Sequence, residues 1–266
     1  MSLIRQTFVE LKRSGRRGFI PFITAGDPDL ITTELLLIEL AKAGADIIEL
    51  GVPFSDPVAD GEVIQRASER ALRNGVTLGD ALICIAHAKQ HIDAPIVLFS
   101  YFNPLLKFGE GRLANEAKQA GVDAVLVTDL VPEEAQPWTA NLRQHGLDPI
   151  FLVAPTTSDE RLARIAQQAR GFIYGVSRAG VTGARDEMTR DAETLVKRVR
   201  SVSDLPVAVG FGVSTAKQVR EVWHFADAAV VGSAIVSQIE KLAGSSDLVS
   251  RVGGFARSLL TPEYSP

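Results

Sequence analysis

The chain has 266 residues, of which 46% are hydrophobic and 23% are charged, as is ordinary for a globular protein. Its 28 lysine and arginine residues against 32 aspartate and glutamate residues give a formal net charge of -4, which argues against nucleic-acid binding. No apolar run approaches the roughly 20 residues of a transmembrane helix, so we expect no membrane contact. The single cysteine, Cys84, rules out an internal disulfide, and no signal peptide is apparent, so we expect a cytoplasmic protein.

The first elements are predicted from the spacing of apolar residues. A helix should open the chain, because apolar residues recur at helical spacing between Ile4 and Leu11. A strand is predicted at Gly18–Thr24, although Pro21 within it has no N–H to donate to a neighbouring strand. A second helix is predicted over residues 31–43, where a glycine follows it.

A helix end, a glycine, a short spacer, an aspartate and an apolar run then recur along the chain. The three copies are AGADIIEL (Ala43–Leu50), AGVDAVLV (Ala120–Val127) and HGLDPIFLV (His145–Val153). Repeated connections of this kind from helix to strand indicate parallel strands.

With the other apolar runs the chain has eight predicted strands separated by helical segments. In order they are GFIPFIT, ADIIELG, APIVLFSY, VDAVLVTD, LDPIFLVAP, GFIYGVS, LPVAVGFG and ADAAVVGSA. Eight βα units in about 250 residues predict a (β/α)8 TIM barrel, an α/β fold, here with an N-terminal helix, and we expect residues 1–266 to form a single domain. A doubly wound open sheet is the alternative, but no G-x-G-x-x-G fingerprint follows the first strand.

The second predicted strand carries an acid, Glu49, inside its apolar run. Burying an ionised carboxylate without a partner costs several kcal/mol, so Glu49 is paired, protonated or part of a working site. Asp56 and Asp60 follow in a loop broken by prolines, and a strand acid with a loop acid can supply paired acid and base groups. The structural alternatives are a salt bridge for Glu49 and helix-capping positions for Asp56 and Asp60.

In a TIM barrel the residues that follow the strands line one end, where active sites form. This rule brings a set of polar and aromatic residues together with the later glycines: Glu49, Asp60, Tyr101, Asn103, Asp129 and Tyr174. By contrast, His87 and His91 lie four residues apart with no further ligand at a recognisable spacing, so we expect no metal site.

Glycine-rich turns follow the last three predicted strands, at residues 180–183, 210–212 and 232–234. Barrels often bind phosphate with the loops after strands seven and eight and the N-terminus of a short helix, which we expect to begin at Ser233. These turns therefore favour phosphate binding over simple tight turns. The polar segment Arg178–Arg190 suits a mobile lid, although a plain surface loop has the same composition.

The chain closely resembles the tryptophan synthase α subunit family over essentially its full length. The motifs that carry the resemblance occur in the same order: PFITAGDP (Pro21–Pro28), IIELGVPFSDPVADG (Ile47–Gly61), SYFNP (Ser100–Pro104), VTDLVPEE (Val127–Glu134), SRAGVTG (Ser177–Gly183), GFG (Gly210–Gly212) and GSAIV (Gly232–Val236). The resemblance implies a lyase that splits indole-3-glycerol phosphate into indole and glyceraldehyde 3-phosphate, with no cofactor in this chain.

By the same resemblance, Glu49 is the acid/base of the family and Asp60 its second carboxylate. We expect substrate contacts from Phe22, Tyr101, Asp129, Tyr174 and Thr182, and phosphate contacts from Gly183, Gly212, Gly232 and Ser233. We also expect Phe22, Leu98 and Leu126 to form the apolar slot for the indole ring.

The resemblance further implies a tryptophan synthase β subunit as partner, in an α2β2 assembly whose pyridoxal phosphate belongs to the β subunit. The apolar loops Pro53–Gly61 and Tyr101–Gly109 beside the expected mouth suit such a contact, or else pack onto the barrel. Two alternatives remain open: a stand-alone lyase or other phosphate-binding barrel enzyme such as an isomerase, and a non-catalytic regulatory barrel. Intact Glu49 and Asp60 argue against the last of these.

Overall fold

The computed structural model describes residues 2–176, 185–210 and 212–261, which include a closed barrel of eight parallel strands paired in chain order. The strands are β1 (Gly18–Thr24), β2 (Ile48–Gly51), β3 (Ile96–Ser100), β4 (Ala124–Val127), β5 (Asp148–Val153), β6 (Ile173–Val176), β7 (Val207–Gly210) and β8 (Ala228–Val231). The ring closes where β1 pairs with β8, and Pro21 lies opposite Val231 in that pair. The (β/α)8 barrel predicted from the sequence is confirmed.

Within the described residues, twelve helices connect and cover the strands. They are α1 (Leu3–Arg13), α2 (Leu30–Lys42), α3 (Glu62–Arg73), α4 (Leu78–Ala88), α5 (Phe102–Phe108), α6 (Glu110–Ala120), α7 (Gln136–Gln144), α8 (Asp159–Gln168), α9 (Arg185–Arg200), α10 (Ala216–Trp223), α11 (Ser233–Leu242) and α12 (Leu248–Leu260). The segment Tyr101–Gly109, predicted as a loop, is therefore largely helix α5. None of the helices in the described ranges is long and apolar enough to cross a lipid bilayer.

Alternate strand residues face two separate apolar cores, because successive side chains of a strand point to opposite faces. One core lies between the strands and the surrounding helices, and the other fills the barrel interior. The end where the strands start is called the bottom here, and the end where they finish is called the mouth. Helix α1 closes the bottom, since its Ile4, Phe8 and Leu11 belong to the interior core. The Phe8 ring lies 5.7 Å from the Phe172 ring, centroid to centroid.

The repeated helix-to-strand connection has one geometry in all three copies. Gly44, Gly121 and Gly146 have positive φ angles of +103°, +89° and +71°, a region that favours glycine. In the first two copies the aspartate that follows also has one role. Asp46 accepts a hydrogen bond from the Phe19 N–H, and Asp123 accepts one from the N–H at the start of β3. These aspartates link neighbouring strands by hydrogen bonds at the bottom of the barrel.

Candidate active site

Glu49 points into the barrel interior near the mouth, where it lies opposite Phe22 in the β1–β2 pairing. Its side chain is buried, and within the described residues neither carboxylate oxygen has a hydrogen-bond partner. The salt bridge weighed as an alternative is therefore wrong. Burial raises the pKa of Glu49 to about 8, because no partner offsets the loss of hydration. A carboxyl group in this state holds its proton at neutral pH and can donate it.

Asp60 lies in the Asp60 loop, residues 52–61, which joins β2 to α3. The N-cap of α3 is Gly61 and not Asp60, so the carboxylate is not used in capping. The Tyr101 hydroxyl donates a hydrogen bond to the Asp60 carboxylate, while it accepts one from the Ala59 N–H over 3.0 Å. Burial raises the pKa of Asp60 to about 6, and the Tyr101 hydrogen bond limits that rise. Asp60 is thus held in place and is ionised at neutral pH.

Tyr174 lies on β6, within electrostatic range of both acids. Its pKa is raised well above its ordinary value, first by burial and then by the charges of Glu49 and Asp60. A Cβ atom at Gly210 would lie 2.5 Å from the Tyr174 hydroxyl, so glycine on the neighbouring strand makes room for the ring. The phenol and the two carboxyl groups therefore face one interior space.

Phe22 forms the opposite wall of that space. A Cβ atom at Gly51 would lie 2.5 Å from the end of the Phe22 ring, so Gly51 is what allows the ring its position. The ring packs edge-on against Phe99 at a centroid distance of 5.3 Å. It also packs against Ala67 of α3 and Val236 of α11, the two helices that lean over this side of the mouth.

The two leucines expected beside Phe22 have different positions. Leu126 belongs to the interior core, as expected for a residue of the slot. Leu98 belongs to the outer core between strands and helices, so its predicted place in the slot is wrong. The run IVLFS of β3 is apolar on both faces because both faces are covered, and its sequence does not show which residues point inward.

Asp129 follows β4 and is exposed. Its carboxylate accepts a hydrogen bond of 2.7 Å from the Phe102 N–H and so caps the start of α5. The other two predicted site residues on this side, Thr182 and Gly183, lie outside the described residues, as do residues 177–184 in general and Phe211.

The predicted helix at Ser233 is confirmed as α11, with Gly232 as its N-cap. No side chain among the described residues caps this helix, so its first N–H groups are available to an anion. Gly212, which follows β7, has a φ of +56°, in the region that favours glycine. A Cβ atom at Gly232 would lie 3.5 Å from the Phe22 Cβ, so the glycine turn borders the interior space that holds Glu49.

Thr24 is a buried polar residue that the sequence analysis did not single out. Its hydroxyl has no hydrogen-bond partner within the described residues. Thr24 lies two residues after Phe22 on β1 and opposite Gly51 of β2, so it shares the interior face with Glu49. The alternation of inward and outward side chains along β1 could have placed Thr24 on the interior face from the sequence.

No group of three or more His, Cys, Asp and Glu side chains in the described ranges is arranged to hold a metal.

The sequence is similar to those of one known protein family. The family model described as tryptophan synthase alpha chain matches residues 8–259. The tryptophan synthase alpha chain of Citrifermentans bemidjiense is 49% identical over 259 residues, which cover 97% of each chain. That of Geobacter sulfurreducens is 49% identical over 259 residues, which cover 97% of this chain and 98% of the relative.

Solved structures show the same similarity in three dimensions. The crystal structure of tryptophan synthase subunit alpha from Legionella pneumophila has a TM-score of 0.90 and 36% identity, covering 98% of both chains. A structure of the tryptophan synthase α2β2 complex from Pyrococcus furiosus has a chain with a TM-score of 0.85 and 40% identity, covering 91% of this chain and 97% of that one. The chain therefore belongs to the tryptophan synthase alpha chain family and is a lyase of tryptophan biosynthesis.

Proposed function

We propose that Glu49 transfers the protons, and that Asp60 stabilises the charged ring, as this chain cleaves indole-3-glycerol phosphate into indole and glyceraldehyde 3-phosphate. The observation that carries the proposal is the Glu49 carboxyl group, which is buried in the barrel interior without a partner among the described residues. A structural carboxylate in such a place would be paired, because an unpaired buried charge is costly.

The retro-aldol cleavage needs two proton transfers and the stabilisation of one positive charge. Protonated Glu49 gives its proton to indole C3, so that the ring can leave as neutral indole. The Asp60 carboxylate accepts a hydrogen bond from the indole N–H and stabilises the positive charge that forms on the ring. Glu49, now ionised, takes the proton of the adjacent hydroxyl as the carbon–carbon bond breaks and the aldehyde forms. Glu49 is then protonated again, and the cycle closes without a net gain or loss of protons.

In this proposal the two ends of the substrate, the indole ring and the phosphate, contact different parts of the site. Phe22, Leu126 and Tyr174 line an apolar slot for the indole ring, next to Glu49 and Asp60. Gly212, Gly232 and Ser233 offer backbone N–H groups and a helix N-terminus to the phosphate. Thr182 and Gly183 remain predicted contacts, and Asp129 remains one at the rim, where it orients α5. Side chains alone can supply proton transfers of this kind, so we propose no cofactor for this chain.

The test is indole release from indole-3-glycerol phosphate by the wild type and by Glu49→Gln, which keeps the shape and removes the acid. Because each proton transfer contributes about 10²–10⁴-fold, we expect a loss of that order, with glycerol phosphate still raising the melting temperature. Glu69→Gln on the exposed side of α3 serves as the matched control and should behave as the wild type. Turnover by Glu49→Gln within tenfold of the wild type would contradict the assignment.

We further propose that the mouth docks a tryptophan synthase β subunit. The side chains of Val58 in the Asp60 loop and Leu106 in α5 are 77% and 52% exposed at this end of the barrel. A cavity of about 610 Å³ opens between the Asp60 loop and α3, with Phe54 and Leu72 in its lining. The related structure from Pyrococcus furiosus is of an α2β2 complex with mutual activation. Such a partner would favour the ordered form of the loops beside the acids.

Indole release by the purified chain, with and without a tryptophan synthase β subunit, tests the partner. We expect the chain alone to be a slow lyase and the β subunit to bind and accelerate it. If the chain alone is fully active and the β subunit neither binds nor accelerates it, the stand-alone lyase is the correct alternative. Absence of cleavage under both conditions would favour the non-catalytic barrel.

A further inference from the structure

Helices α3 and α11 each begin at one end of the proposed substrate site. Helix α3 starts two residues after Asp60, and α11 follows its N-cap Gly232, in the turn assigned to phosphate. Between them Phe22 packs against Ala67 of α3 and Val236 of α11. The distance between the proton-transfer end and the phosphate end of the site therefore depends on how these two helices are held together.

A group of four charged side chains, called here the Glu240 cluster, joins these helices beyond Phe22. It consists of Asp27, Arg66, Arg70 and Glu240. Arg66 donates from Nε and Nη2 to the Glu240 carboxylate over 2.8 and 2.9 Å. Arg70 donates from Nη1 to Glu240 over 2.7 Å, and from Nε and Nη2 to Asp27 over 2.8 and 3.0 Å.

Arg70 is the member that joins three elements. Its guanidinium contacts Asp27, which follows β1, as well as Glu240 of α11, and it projects from α3. Only 1% of the Asp27 side chain is exposed, against 23% for Arg70 and 27% for Glu240. Burial raises the pKa of Asp27 while the Arg70 guanidinium opposes that rise, and the two arginines lower the pKa of Glu240 to about 2. The planar Arg70 guanidinium thus opposes the effect of burial at Asp27 and fixes the directions of both carboxylates.

The helices transmit this contact to the site. Glu240 lies eight residues after Gly232, about 12 Å along a helix that rises 1.5 Å per residue. A hydrogen-bonded helix of this length moves as a unit, so a shift at Glu240 moves the phosphate turn. Arg70 lies on the same helix that carries the end of the Asp60 loop, so a shift there moves Asp60.

We propose that Arg70 is a positioning residue that sets the spacing between Asp60 and the phosphate turn of α11. It does so without touching the substrate, by holding α3, α11 and the turn after β1 in one arrangement. The inference rests on the proposed function, because the spacing matters only to a ligand that contacts both ends. A ligand that contacts one end alone should be indifferent to it.

This difference supplies the test. In Arg70→Met, the KM for indole-3-glycerol phosphate should rise about tenfold, since the whole molecule must bridge both ends. The Kd for glycerol phosphate, which occupies the phosphate turn only, should stay within about twofold of the wild type. Both quantities are measured well below the melting temperature. Arg73→Met is the matched control, because Arg73 lies on the same helix and its ion pair within the described residues is with the exposed Glu69. In the chain without a β subunit it should leave both values unchanged.

Arg70→Met also leaves Asp27 buried without its cation, which lowers stability on its own account. The double variant Asp27→Asn with Arg70→Met removes that charge. Positioning by Arg70 requires the raised KM to persist in the double variant, with glycerol phosphate affinity intact. A KM that returns to the wild-type value in the double variant overturns the proposal. So does an unchanged KM in Arg70→Met, or a parallel loss of glycerol phosphate affinity. If the wild type releases no indole, with or without a β subunit, the proposed function fails and this inference fails with it.

Discussion

At the bottom of the barrel, Asp46, Asp123 and Asp227 each accept a hydrogen bond from a backbone N–H near the start of a neighbouring strand, over 2.9 to 3.0 Å. Each also has a cation within 4 Å, as Asp227 has in Arg17 and Arg200. At the mouth, Glu49 has neither kind of partner within the described residues. The two ends of one barrel thus place the same chemical group in opposite surroundings.

The difference separates stability from chemistry. Burial raises the pKa of Asp46 as well, but the Phe19 N–H and the Arg16 guanidinium oppose the rise. The carboxylates at the bottom therefore have partners and link neighbouring strands. Nothing opposes the rise at Glu49, so the group costs stability when it ionises and keeps a proton ready for transfer. Three substitutions test this contrast between the two ends of the barrel.

The largest effect on stability should come from Glu49→Gln at high pH. The folded pKa of about 8 lies above the ordinary value of 4.5, so between these values the folded state binds more protons than the unfolded state. The free energy of unfolding of the wild type should then fall as pH rises from about 4.5 to 8. Glu49→Gln lacks this dependence. Its advantage over the wild type should be small at pH 4.5 and reach several kcal/mol at pH 8, as measured by urea denaturation. Parallel curves for the two proteins would show that Glu49 is paired after all.

The next largest effect is expected from Asp227→Ala at the bottom. The substitution leaves the Val207 N–H and two arginines without their acceptor, so the free energy of unfolding should fall by about 1–3 kcal/mol. The kcat for indole release should not change, because the mouth is untouched. Asp227→Asn keeps an acceptor for Val207 and should lose less. The exposed Asp204, at the same end, provides Asp204→Ala as a control. A fall in kcat with Asp227→Ala would contradict the separation of the two ends.

The smallest effect should come from Tyr101→Phe, and it is seen in the pH dependence of kcat/KM. For the wild type, kcat/KM should fall below about pH 6, as Asp60 takes up a proton, and above about pH 8, as Glu49 loses one. These limbs are apparent values for the pair. Removing the Tyr101 hydroxyl removes the hydrogen bond that lowers the pKa of Asp60, so the acid limb should move to higher pH. The alkaline limb should stay. A shift of both limbs, or of neither, would show that Tyr101 does not act through Asp60.

The sequence was sufficient for the barrel and for the burial of Glu49, because both appear as local patterns. Eight apolar runs and the glycine–aspartate connections predicted the strands, and an acid inside an apolar run marked the one carboxylate that needed an explanation. The same local view could not decide whether Asp60 caps α3, since Gly61 beside it is also an acceptable N-cap. It also placed Leu98 in the slot, because a strand buried on both faces carries no alternation.

Contacts between distant parts of the chain were beyond that reasoning. Arg70 contacts Asp27, which is 43 residues away, and Glu240, which is 170 residues away. Nothing in a run of residues around Arg70 distinguishes it from Arg73 three positions later, an exposed residue of the same helix. The Tyr101–Asp60 hydrogen bond likewise joins the start of α5 to the loop after β2. Closure of the barrel brings these pairs together, and only the register of the strands shows it.

The closure of the bottom by α1 has a consequence for product release. Ile4, Phe8 and Leu11 fill the bottom of the interior, so the space around Glu49 is a blind chamber on that side. An uncharged product released there has no route through the bottom and must leave by the mouth, through which the substrate entered. A protein bound over the mouth would therefore be the first molecule that the product meets. Shortening α1 would open a second exit at the bottom. The closure by α1 therefore restricts product release to the mouth.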